Sequence, residues 1–260
     1  MRVQIMSDLH VDFPGARGIP PCAAGADLVV VAGDTCQGLV NAIEACRRAF
    51  PNVDVAMVAG NHEYYGYTLR DELEAGRVRA RQLGVHLLES SIAYFGSKLL
   101  VVGATLWTDY GLFGETLRIP AMRTAADVMR DHKRIKWQRN PWMRFRPEEA
   151  RALHLQSRAF IETELAKAQD GVRKVMVLTH HAASIEAVNP QFQRSIVSAA
   201  YASELLPIID RYQPAWWVSG HTHHSMSFLR GRTRLLSNPR GYADENPVFD
   251  PSYTIEVDND

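Results

Sequence analysis

Five short runs along the chain are apolar at nearly every position: Val3 to Met6, Asp27 to Ala32, Val55 to Ala59, Lys174 to Leu178 and Trp216 to Val218. Near-continuous apolarity at this length predicts strands covered on both faces, since a strand with one wet face would alternate. Between the first three runs lie segments of helical character, Leu39 to Phe50 and Thr68 to Leu83, which suits crossovers between largely parallel strands. A longer helix is predicted from Pro147 to Ala168, because proline followed by two glutamates is what a helix N-terminus favours.

A second class of strand reads as hairpins. Ile92 to Phe95 turns at Gly96-Ser97 into Leu99 to Val102, and Met226 to Leu229 turns at Gly231 into Leu235; Tyr253 to Val257 would close the set. Two strand groups with helices between their members predict an α/β chain of two packed sheets with helices outside. The chain reads as one domain, residues 1–260, with an irregular basic and aromatic insertion at about 106–147.

The residues that follow the five buried runs carry the chemistry: Ser7-Asp8-Leu9-His10, Gly33-Asp34, Gly60-Asn61-His62-Glu63, Thr179-His180-His181 and Gly220-His221-Thr222-His223. Sites in open α/β sheets form beyond the carboxyl ends of strands, so these loops are expected to converge although they span most of the sequence. Aspartate, asparagine and histidine offer oxygen and imidazole nitrogen without thiolate, which favours manganese, iron or zinc over a cysteine-rich structural zinc. Seven such ligands are too many for one tetrahedral ion. They suit two ions bridged by a carboxylate, for which Asp34 is the candidate.

The ordered set D-x-H, G-D, G-N-H-E, H and G-H-x-H resembles the calcineurin-like metallophosphoesterase superfamily. The resemblance implies a four-layer αββα sandwich of two mixed sheets flanked by helices. It also implies a dinuclear centre of two divalent metal ions with a bridging hydroxide. Asp8, His10, Asp34 and His223 match the ligands of one metal, and Asp34, Asn61, His180 and His221 those of the other, with Asn61 also placed to meet substrate. His62 resembles the catalytic histidine that protonates a leaving alkoxide, with Glu63 expected to orient it or raise its pKa. Where family members often carry a second aspartate three positions after the bridging one, this chain has Gln37.

Charge changes the picture only locally. Lysine plus arginine equal aspartate plus glutamate at 29 each, so nothing global draws the chain to nucleic acid or membrane. From Leu106 to Pro147, however, nine basic residues stand against four acidic ones. With Trp137 and Trp142 among them, Arg139 and Arg144 are candidates for holding a substrate's charge and stacking a planar group; a solvated helical face is the competing explanation. Trp107-Thr108-Asp109-Tyr110 could equally reach the rim of the site or pack on the domain. His181 and His224, beside the motifs, are candidate phosphate contacts; His86, His132 and His154 read as surface or packed polar residues.

Cys22, Cys36 and Cys46 fit no zinc spacing and suit a reducing compartment. Neither a signal-peptide core nor a membrane-length apolar stretch is found, so a soluble cytoplasmic protein is expected. The composite reading is a hydrolase of a small phosphorylated substrate, leaning to a nucleotide-like diester, with a phosphomonoesterase, a nuclease or a binding scaffold of the same fold as alternatives. No dedicated nucleic-acid domain is evident, and the oligomeric state is open.

Overall fold

The computed structural model of the chain describes residues 1–171, 173–243 and 245–257. Its elements begin β1 (Arg2–Met6), β2 (Leu28–Val31), α1 (Leu39–Ala49), β3 (Asp54–Met57), α2 (Leu69–Leu83), β4 (His86–Leu87), β5 (Ser91–Phe95) and β6 (Leu99–Ala104). There follow α3 (Glu115–Val128), α4 (Asp131–Arg134), β7 (Lys136–Gln138), β8 (Met143–Arg144), α5 (Pro147–Lys167) and β9 (Lys174–Thr179). The last elements are α6 (Leu206–Tyr212), β10 (Trp216–Ser219), β11 (Met226–Arg230), β12 (Thr233–Ser237) and β13 (Thr254–Glu256).

The larger strands form two mixed sheets, one in the order β13-β1-β2-β3-β4 and one in the order β11-β12-β10-β9-β6-β5. In the first, β1 to β4 are parallel and β13 is an antiparallel edge. In the second, β12, β10, β9 and β6 are parallel, and both edges are antiparallel partners in hairpins. The two strand classes seen in the sequence therefore do not each make a sheet. Apolar runs occupy central places in both sheets because they need cover on two faces, while the hairpins extend the second sheet and β13 joins the first.

Alternation along each strand sets the layers. Val3, Ile5, Leu28 and Val30 share a core with Val101, Met176, Leu178 and Val218 of the other sheet. Their neighbours Met6, Val29 and Val31 turn the other way and pack with Leu39, Ile43 and Leu69 of α1 and α2. On the far side, Leu100, Val102, Val177 and Trp217 meet Ile161 and Leu165 of α5 and Ile208 and Ile209 of α6. The result is the expected four-layer αββα sandwich. Each such side chain, fully buried, contributes about 1.5–3 kcal/mol, so a one-residue register slip in β2 would expose or misplace several of them at once.

Residues 106–147 are not irregular. They hold α3, α4 and the β7–β8 hairpin. The helix was hidden because Pro120 lies inside α3 and because Ala121, Met122 and Ala125 make a narrow buried stripe. Helix α5 begins as the sequence indicated, with Pro147 at its start and the Glu149 carboxylate accepting the Arg146 N–H at 2.9 Å. Cys36 and Cys46 are buried and Cys22 half-buried, all as free thiols. Among the described residues no helix is long and apolar enough to cross a membrane.

Candidate functional site

Strands β1, β2, β3, β9 and β10 all point their carboxyl ends at one edge of the sandwich, where Asp8, Asp34, Asn61, His180 and His221 follow them. The turns are tight. Asp8, His10, Asp34, His221 and His223 all adopt positive φ, between 41° and 68°, a region that L-residues occupy at a cost and that clusters at functional sites. Two glycines make the approach possible: a Cβ on Gly60 would lie 2.1 Å from Asp34 Oδ1, and one on Gly220 would lie 2.6 Å from Asp8 Oδ2.

Two groups of donor atoms result from the ligand candidates, and His62 lies close enough to His10 and Asp34 to make a further one with them. In one, His10 Nε2 faces His223 Nε2 at 3.1 Å, with Asp8 Oδ1 3.4 Å from His223 Nε2 and Asp34 Oδ2 3.8 Å from His10 Nε2. In the other, His180 Nε2 lies 2.9 Å from Asn61 Oδ1, 3.1 Å from His221 Nδ1 and 3.5 Å from Asp34 Oδ1. Asp34 thus turns one carboxylate oxygen to each group.

This donor set fits cations. Imidazole nitrogens that face each other at about 3 Å cannot both present lone pairs without a proton or an ion between them. Asp8 and Asp34 are buried, and among the described residues neither pairs with a lysine or arginine. Burial pushes His10 down to about 3 and holds His180 and His221 below the histidine range, keeping these rings neutral with lone pairs to offer. Burial, then the charges of Glu63 and Asp8, push Asp34 up, a cost that a cation would remove. Although burial also opposes a charge on His223, its bonds to Asp8 and Glu245 raise it to about 9, so an ion here must displace a proton.

Supporting contacts fix the rings and the amide. His180 Nδ1 donates to Ala32 O at 2.8 Å, and His223 Nδ1 lies 2.6 Å from Glu245 Oε2. His10 and His221 are held by stacking instead, His10 on Tyr242 with centroids 4.4 Å apart and His221 on Tyr201 at 4.7 Å. Asn61 Nδ2 donates to Asp131 Oδ1 at 2.8 Å, which turns its Oδ1 toward His180. Tyr65 donates to the same Asp131 oxygen at 2.7 Å.

A cavity of about 650 Å³ opens over this floor, lined in part by Asp34, Asn61, His62, His221 and His223. His62 Nε2 faces the Tyr242 hydroxyl at 3.0 Å, and its ring lies on Tyr65 with centroids 4.2 Å apart. Burial, then the neighbouring imidazoles of His10 and His180, lower its pKa strongly.

Three sequence expectations need correction. Glu63 does not orient His62: its carboxylate is occupied by the backbone N–H groups of Gly60 at 2.7 Å, Thr35 at 2.7 Å and Asp34 at 3.0 Å. Arg139 and Arg144 do not line the cavity, because they belong to the β7–β8 hairpin, which packs on α2 through Trp137 and Arg70. His181 is buried behind the site against Trp107, with centroids 5.2 Å apart, and His224 is not on the cavity wall. Of the two readings open for Trp107, the structure has the packed one, its ring on Phe145 at 4.6 Å. Sequence reading missed Asp131, Tyr65, Tyr242, Tyr201, Glu245 and Arg130; none lies within a strand-end motif, though Tyr65 comes two residues after one.

Two mixed sheets whose parallel strands end on histidine–carboxylate clusters define a metallophosphoesterase-type protein. The chain belongs to the calcineurin-like phosphoesterase family, whose model matches residues 1–225. It is 22% identical over 213 residues to an uncharacterized protein of Acanthamoeba polyphaga mimivirus, covering 77% of this chain and 72% of that one. In structure it is similar to a phosphopantetheinyl hydrolase from Mycobacterium tuberculosis, with TM-score 0.72 and 18% identity over 94% of this chain and 90% of the other. A putative 5'-nucleotidase from Staphylococcus aureus matches with TM-score 0.52 and 15% identity, over 92% of this chain and 49% of that one.

Proposed function

We propose that the chain hydrolyses a small phosphodiester with two divalent ions, manganese, iron or zinc. Asp8, His10, Asp34 and His223 would hold one, and Asp34, Asn61, His180 and His221 the other. The observation that carries this reading is Asp34 itself, with Oδ2 toward His10 at 3.8 Å and Oδ1 toward His180 at 3.5 Å. Ions bound there supply Lewis acidity and lower the pKa of water.

The protein's own groups do the rest. Hydrolysis breaks the P–O bond to the leaving group, and that oxygen needs a proton as the new P–O bond to water forms. His62 presents Nε2 to the cavity and donates from that atom. An anionic phosphoryl group beside it opposes the depression of its pKa that burial causes. Tyr242, in contact with the same nitrogen and stacked on His10, keeps the ring in place. The backbone N–H groups held by Glu63 keep the Asp34 and Asn61 turns together. Room in the cavity beyond the donor floor supports a diester, whose phosphate carries a second substituent, over a monoester.

The test is a panel of phosphomonoesters, cyclic nucleotides and linear diesters assayed with manganese, iron, zinc and magnesium, beside elemental analysis of the wild type and Asp34→Ala. Diester turnover with two ions per chain, lost together in Asp34→Ala, supports the reading. Two tightly held ions in folded Asp34→Ala would refute the bridge. Preference for monoesters would refute the diester.

A further inference from the structure

Above the donor floor the cavity has a second part that hydrolysis alone does not require. Its lining there comes from the end of α3, Val128 and Met129, and from the segment after β9, Val188, Phe192 and Val197. Val128 is 51% exposed and Phe192 53% exposed, and an apolar surface left open beside polar chemistry marks a place where a ligand is covered.

Arg130 lies on the same cavity, directly after Met129. Its side chain is exposed and, among the described residues, has no hydrogen bond or ion pair, unlike Arg118 and Arg134 of the same basic segment, which bond Glu115 and Gln37. The other charged group of the cavity rim, Glu245, is engaged by His223. Arg130 is also well rooted: its carbonyl accepts the N–H groups of Lys133 and Arg134, and the next residue, Asp131, is tied to Asn61. A guanidinium on a fixed root, without a partner among the described residues and facing a cavity, offers a planar fork matched to phosphate or carboxylate.

We propose that this upper part is a recognition subsite for the second substituent of the diester, and that the substituent combines an apolar body with an anionic group read by Arg130. The inference rests on the phosphodiesterase reading above. The basic segment contributes to recognition through this one arginine, while Arg139 and Arg144 stand on the hairpin outside the cavity.

Alkyl p-nitrophenyl phosphate diesters test it while holding the released group constant: a methyl ester, a butyl ester, and a butyl ester whose chain ends in phosphate. Lengthening methyl to butyl should raise kcat/KM about tenfold, less than three fully buried methylenes would give. The terminal phosphate should add about another tenfold, within the range of a charged hydrogen bond. Arg130→Gln should abolish the preference for the phosphate-tailed over the plain butyl ester, and Phe192→Ser should reduce the preference for butyl over methyl. Both positions are exposed, so folding should be kept. Equal kcat/KM for all three esters in the wild type, or an unchanged tailed-to-plain ratio in Arg130→Gln, would overturn the subsite while leaving the phosphodiesterase reading intact. Hydrolysis of none of them with any metal would remove both.

Discussion

Asp131 holds the Asn61 amide. Its Oδ1 accepts from Asn61 Nδ2 at 2.8 Å, and the Tyr65 hydroxyl bonds the same oxygen at 2.7 Å. An asparagine offers a metal only its oxygen, so the carboxylate on its nitrogen side decides which way the amide faces. Asp131→Ala frees the amide to rotate. It should weaken binding of the proposed ion that Asn61 would hold about 10–100-fold, the usual effect of losing such an orienting partner. Metal titration with elemental analysis checks this; two ions held as tightly as in the wild type would refute it.

Glu63 acts on the backbone. Burial raises its pKa to about 7 against three amide hydrogen bonds that favour the carboxylate. Those amides belong to Gly60, Asp34 and Thr35, so one side chain joins two of the strand-end turns. Glu63→Gln must turn an NH₂ toward one of these donors, leaving it unsatisfied at a cost of about 1–3 kcal/mol. The metal-free variant should melt lower than the metal-free wild type by a corresponding amount. Equal melting temperatures would leave Glu63 without this structural part.

The seven metal-ligand candidates were legible because each follows its strand within a few residues, so local pattern sufficed. Asp131 was not, since its partner Asn61 is 70 residues away in sequence, and Tyr242 meets His62 across 180. No periodicity encodes such pairings. Arg139 and Arg144 were misread for a related reason: a charge excess in a segment does not tell which of its residues face inward. The β7–β8 hairpin spends Trp137 on Phe145 and Arg70, leaving Arg130 alone of the nine basic residues on the cavity. The two sheets were foreseen, but their membership was not, because hairpin strands and buried runs can share a sheet.

Glu89 gives the fold a pH dependence away from the donor cluster. It accepts from the Thr105 N–H at 3.0 Å and from the Thr105 hydroxyl, yet burial raises its pKa above 4.5. The folded state therefore binds this proton more tightly than the unfolded chain. The associated stability is complete below the unfolded value and is lost as pH rises through the folded one. Metal-free Glu89→Gln should lose less stability than the metal-free wild type as pH rises from about 4.5, the ordinary carboxyl value. Denaturant melts across that range check it, and parallel curves would exclude Glu89 as the source.

His62 and Tyr242 separate proton transfer from metal binding. His62 Nε2 contacts the Tyr242 hydroxyl at 3.0 Å and lies 3.9 Å from Asp34 Oδ2, close enough to His10 and Asp34 to form a donor group with them. If His62 protonates the leaving oxygen, His62→Gln should keep both ions and slow hydrolysis of alkyl esters about 10²–10⁴-fold. The loss should shrink for nitrophenyl esters, whose leaving oxygen is stable as an anion. Tyr242→Phe retains the ring on His10 and removes only the hydroxyl, so it should act in the same direction with a smaller loss, about tenfold. That loss should appear in kcat rather than KM, because the contact positions the acid and does not hold substrate. Equal losses for nitrophenyl and alkyl esters in His62→Gln would assign His62 to phosphate binding, and Tyr242 would then be a support for that contact.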